Sequence, residues 1–169
     1  QTCALPISVR DRGVAVTVGR AAALYLAAVV VLAFPLSTRP GSVVQSPSPD
    51  TNFSLWTIQW GAHALGSDPR HVFDANIYHP ERRTLAYSEN LLGSAPVVAA
   101  VLAATGNAVL AQNLVVLGAS VLCGVGAFLL AIELGQSGPA AAFAGLVFAC
   151  SPPRFLRLDQ FHLATVQWI

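Results

Sequence analysis

From Ala108 to Ile132 the chain reads AVLAQNLVVLGASVLCGVGAFLLAI, without one charged side chain. At about 1.5 Å per residue a helix over this stretch exceeds the roughly 30 Å hydrocarbon core of a bilayer. It is the clearest candidate span, and Gly118, Ser120, Gly124 and Gly126 give it small surfaces for close helix packing. Val14–Leu36, VAVTVGRAAALYLAAVVVLAFPL, is predicted as an earlier span, with Arg20 near one end and snorkelling. The segment 139–151 is predicted as a third, and 154–169 as the start of a further helix. The fold class expected is therefore all-α: a polytopic integral membrane protein with about three to four transmembrane helices.

Composition agrees. The chain is 54% hydrophobic and 10% charged, where ordinary soluble domains are about a quarter charged. A net charge of +1 gives no argument for nucleic acid, and no nucleic-acid partner is expected. Cys123 and Cys150 lie in apolar segments and read as small core residues rather than a disulfide framework. The first residues, QTCALPI, match the translation of a sequencing-adapter oligonucleotide; 1–7 is set aside as a scar, and the chain is expected to be a fragment that is inactive alone.

Arg10, Arg12 and Arg20 precede or open the first span, which puts the N-terminus in the cytoplasm and the long segment 37–90 outside. Ser37–Pro49, STRPGSVVQSPSP, is a connector that is not expected to form regular structure. A helix is then predicted over Asn52–Leu65, capped by Asp50 or Thr51. Phe53, Trp56 and Trp60 fall near one face, with Leu55, Ile58, Ala62 and Leu65 widening the apolar side. Tryptophan at such a border suits a membrane interface, where the indole is buried and its N–H stays wet; a buried core helix of an outer domain is the alternative. Pro80 followed by Glu81 reads as a further helix start. The segment 91–105 is apolar but short and contains Pro96, so it is predicted to be re-entrant or interfacial.

The stretches PDTNFSLWTIQW, DPRHVFDANIYHPERRTLAYSENLLG and FACSPPRFLRLDQFHL, in this order around the spans, resemble bacterial multi-spanning glycosyltransferases of the C-type superfamily, including dolichyl-phosphate-mannose mannosyltransferase-like proteins. The resemblance implies transfer of a sugar from a polyprenyl-phosphate donor, within membrane lipid, to an acceptor hydroxyl on a glycan, lipid or protein. It implies a bacterial inner-membrane location and an active site on the extracytoplasmic face. It also implies a catalytic aspartate in the first outer loop, and only Asp50 matches that position. Relatives often carry a second acidic residue further on. Here the candidate is Asp159, in a block where a neutral residue is the more usual expectation, which leaves a divalent metal open; no other cofactor is expected.

Sugar transfer to a hydroxyl needs a base and cationic help for the departing phosphate. Asp50 can serve as the base, or merely cap a helix. Arg154 and Arg157 can bind a phosphate through planar guanidinium groups, or anchor a helix end at the interface. His162 can hydrogen-bond donor or acceptor. Asn76, Tyr78 and Glu89, with Asp74, form a polar set that can shape a sugar pocket or simply make turns. His63, His71 and His79 have no recognised zinc spacing, and no metal site is assigned. The rival class is a transporter or lipid-handling permease, which would need ionisable or broken-helix elements near the bilayer midplane; a non-catalytic scaffold is a third.

Overall fold

A computed structural model describes residues 7–157 and 160–165, with the side chains of 7–16 left aside. Arg10, Arg12 and Asp159 thus lie outside the described side chains. The described residues are all-α, with no strand among them. The helices are α1 (Ile7–Leu32), α2 (Pro49–Ser67), α3 (Ala95–Thr105), α4 (Ala108–Glu133), α5 (Gly138–Ala149), α6 (Pro152–Leu156) and α7 (Phe161–Ala164).

Helices α1, α4 and α5 form one packed group. Along α1 the buried residues recur every fourth position, Ala21, Tyr25 and Val29, so one stripe faces the core. Tyr25 meets Gly124 in mid-α4, while Gly41, beyond the end of α1, meets Asn107 at the start of α4. The two helices therefore run antiparallel. A tight turn then reverses the chain: Gly135 takes φ 80° and the Gln136 N–H donates to the Ala131 carbonyl at 3.0 Å, a left-handed helix terminus that glycine makes without steric cost. Where α5 returns past α4 the backbones touch. A Cβ on Gly124 would lie 2.8 Å from that of Ala149, and one on Gly145 would strike the Tyr25 phenol and the Gly124 carbonyl. Tyr25 fills the remaining space and donates to the Ala142 carbonyl at 3.1 Å. Of the small residues expected to pack, Ser120 and Gly124 are buried, whereas Gly118 and Gly126 face open space.

A second group joins α2, α3 and the first half of α4 through Ile58, Val98, Ala111, Val115 and Val116, with Phe161 and Ala164 of α7 inserted among them. α2 begins earlier than predicted. Ser48 is its N-cap, accepting the Thr51 N–H at 3.2 Å, and Pro49 opens the first turn. Neither Asp50 nor Thr51 caps it. It buries Thr51, Ser54, Thr57, Ile58, Gly61 and Ala64, and Leu55 and Ala62 of the expected apolar side pack beside Ile58. Gly61 lies against Leu92 and Ala95, and such small side chains let α2 and α3 approach closely. The bulky Phe53, Trp56 and Trp60 are displaced to the flank, half-buried, as a stacked row with ring centroids 5.8 and 6.3 Å apart. The Trp60 indole N–H donates to the Val72 carbonyl at 2.8 Å rather than to water.

The Pro/Ser connector makes one short helical turn, Leu36–Thr38, and is otherwise irregular yet fixed in place. Asn113, 1% exposed, donates to the carbonyls of Pro40 and Val43, each at 2.7 Å. Asn107 donates to the Gly41 carbonyl at 2.9 Å, and Gln45 bonds both Gln112 and Asn113. The first two turns of α4 thus satisfy the connector's backbone. No helix starts at Pro80; residues 78–81 make a turn closed by the Tyr78 carbonyl and the Glu81 N–H. Pro96 sits in the first turn of α3, where its missing N–H costs nothing.

Among the described residues one helix, Ala108–Glu133, is long and apolar enough to cross a membrane; Thr17–Leu32 is a shorter apolar helix. α5, at 12 residues, reaches about 18 Å, shorter than the roughly 30 Å hydrocarbon core of a bilayer. Leu26, Val31, Leu122, Leu130, Phe143 and Val147 nevertheless stay more than half exposed across α1, α4 and α5.

Candidate active site

The loop after α2 is folded back onto that helix. Val72 is tied to Trp60, the Leu85 N–H donates to the Phe73 carbonyl at 3.1 Å, and the Thr84 hydroxyl donates to the Ala75 carbonyl at 3.2 Å. Asp74 accepts the Arg83 N–H at 2.8 Å and so makes a turn rather than a binding group. Leu85, fully buried, is the anchor of the short helical turn Thr84–Tyr87.

Between this loop and the first turn of α2 lies a cleft of about 580 Å³. Asp50 and Phe53 form one wall; Tyr78, Tyr87 and Glu89 form the other. The Asp50 carboxylate is exposed and makes no hydrogen bond or ion pair among the described residues, because Ser48 has taken the capping position. Tyr78 holds φ 57°, a left-handed conformation that a bulky side chain rarely adopts.

Glu89 joins the cleft to the C-terminal segment. It accepts the Ser88 hydroxyl at 3.0 Å, and its other oxygen lies 3.6 Å from His162 Nδ1. α7, which carries His162, is held by the fully buried Phe161. On its far side Leu163 and Ala164 line a second cavity of about 220 Å³ together with Arg154 and Arg157. Arg154 is fixed at both ends of its guanidinium group: Nη1 donates to the Ala164 carbonyl at 2.8 Å, and the group lies 5.8 Å from the Phe148 ring centroid. Its Nε is buried without a partner. Of the five N–H donors of this planar cation the Ala164 carbonyl takes one, so donors are left for an anion.

Of the residues singled out in the sequence, Asp50, Tyr78 and Glu89 share the first cleft, His162 touches it through Glu89, and Arg154 and Arg157 share the second. Asn76 is exposed and lines neither. Phe53 was assigned to an apolar helix face, and Tyr87 was not singled out; neither has a local sequence signal, since both reach the cleft through loop folding. His71 pairs with Asp68 at 2.7 Å, both well exposed, and His63 packs against Trp60. Among the described residues no group of three His, Cys, Asp or Glu could hold a metal ion.

Comparison of the chain with protein-family models, with curated proteins and with solved structures finds no match.

Proposed function

We propose that this chain carries part of the active site of a polytopic membrane glycosyltransferase, which moves a sugar from a polyprenyl-phosphate donor to an acceptor hydroxyl at the extracytoplasmic face of a bacterial inner membrane. One observation carries the proposal: the Asp50 carboxylate caps no helix, makes no hydrogen bond or ion pair among the described residues, and lines a cleft, while Arg154 and Arg157 line a second cavity. Asp50 is the general base for the hydroxyl. Arg154 and Arg157 bind the phosphate, whose negative charge grows as the sugar leaves. Membrane embedding is supported by the exposed leucine, valine and phenylalanine side chains across α1, α4 and α5, a surface that water would not tolerate at this extent. Transfer of a radiolabelled hexose from its polyprenyl phosphate, assayed in vesicles with the protein expressed from its complete reading frame, tests the proposal. Absence of transfer across the common hexose donors would overturn it.

A transporter is the alternative that a specific observation favours. α5 ends at Ala149 and is followed by the broken helices α6 and α7, which carry Arg154 and His162. Interrupted helices with ionisable groups are typical of substrate sites in transporters. Uptake of a sugar into the same vesicles without any bond being made would favour it.

A further inference from the structure

We infer that the Asp50 cleft is a subsite for a non-anionic sugar ring held against Tyr78 and Tyr87, and that it rejects rings bearing a carboxylate, sulfate or phosphate. The inference rests on the transferase proposal for the sugar's role, and on the cleft lining alone for its charge preference.

The lining contains two acidic side chains, Asp50 and Glu89, and no arginine or histidine. His162 lies 3.6 Å from Glu89 and is not itself part of the lining. Asp50 has no such partner, so an anionic ring would meet an uncompensated like charge. What remains is a ligand with hydroxyl donors, which both carboxylates can accept. The phosphate of a lipid-linked donor then belongs to the arginine cavity on the other side of α7.

The tyrosines make the same point through apolar contact. Tyr78 and Tyr87 are 75% and 77% exposed at the cleft. Neither ring contributes to the core, and Tyr78 holds its place through an unfavourable backbone conformation. An aromatic face left wet beside carboxylate acceptors matches the two sides of a sugar ring, C–H on one and O–H on the other. The cleft volume lies within the roughly 300–1,000 Å³ of small-molecule sites.

Saturation-transfer NMR at neutral pH tests this, using the protein expressed from its complete reading frame in nanodiscs with methyl α-glucoside and methyl α-glucuronide as probes. The glucoside should bind at least about tenfold more tightly than the glucuronide. Tyr87→Ala, an exposed position, should weaken glucoside binding by about fivefold or more. Equal binding of the two probes, no binding of either, or glucoside binding unchanged in Tyr87→Ala would overturn the subsite. These results are separable from the transferase proposal. Transfer intact in Asp50→Asn would overturn that proposal while selective, Tyr87-dependent glucoside binding still supported the subsite.

Discussion

The Ser48 hydroxyl accepts the Thr51 N–H at 3.2 Å and so occupies the capping position of α2. Asp50, between them in sequence, keeps its carboxylate in the cleft. Under the proposed function, structure falls to Ser48 and chemistry to Asp50, and two substitutions should part them. Ser48→Ala should lower stability by about 1 kcal/mol. Asp50→Asn should lower transfer by roughly 10²-fold or more, with a stability change below about 1 kcal/mol from the lost interaction with the helix dipole. Thermal unfolding in detergent beside the vesicle transfer assay reads both. A larger stability loss for Asp50→Asn than for Ser48→Ala would contradict the division.

The crossing of α4 and α5 should tolerate no added carbon. Gly145→Ala places a methyl group against the Tyr25 phenol and the Gly124 carbonyl, an overpacking that costs about 1–3 kcal/mol. Gly126→Ala, with open space around it, should be neutral or slightly stabilising. Melting temperatures of the two variants check this, and equal melting would mean that the helices do not meet as described.

Asn113→Ala should release the connector. Two half-buried carbonyls, those of Pro40 and Val43, lose their donor, at about 0.5–1.5 kcal/mol for each hydrogen bond. Limited proteolysis should become faster within 40–48 and stay unchanged in the turn at 134–137. Equal acceleration at both sites would point to global unfolding instead.

Membrane topology gives a fourth test. The antiparallel course of α1 and α4 puts the α4–α5 turn and the loop after α2 at opposite ends of α4. In a background with Cys3, Cys123 and Cys150 replaced, Arg82→Cys should react with an impermeant maleimide in intact spheroplasts. Gln136→Cys should react only after the membrane is opened. The reverse pattern would invert the assigned orientation.

The sequence reading succeeded where one local pattern decides the outcome. α4 was expected over 108–132 and is found over Ala108–Glu133, because a long uncharged run has few alternatives to a helix. It was incomplete for α2, where Leu55, Ile58 and Ala62 of the expected apolar side do pack into the core but Thr51, Ser54, Thr57 and Gly61 are buried as well. Periodicity ranks faces by hydrophobicity, but the neighbour of α2 is another helix at close range, and there size matters more: Ser54, Thr57 and Gly61 fit where Trp56 does not. Nothing local in the sequence marks Gln112 and Asn113 as anchors, since their partners lie far away along the chain. Asp50, Tyr78 and Glu89 were nominated in advance, although their sharing one cleft depends on a loop fold set by Trp60, Leu85 and Thr84.

Tyr25, Gly124 and Gly145 meet with no slack, so this crossing acts as a fulcrum for everything that follows α5. Ala149 presses on Gly124 from the same side, and Phe148 beside it carries the Arg154 guanidinium group. A tilt of α1 against α4 has no free volume in which to be absorbed. It would bear instead on the end of α5, where Phe148 lies against the Arg154 guanidinium group. Arg154 is thereby tied to the α1–α4 crossing through Phe148 and Ala149, and to α7 through the Ala164 carbonyl.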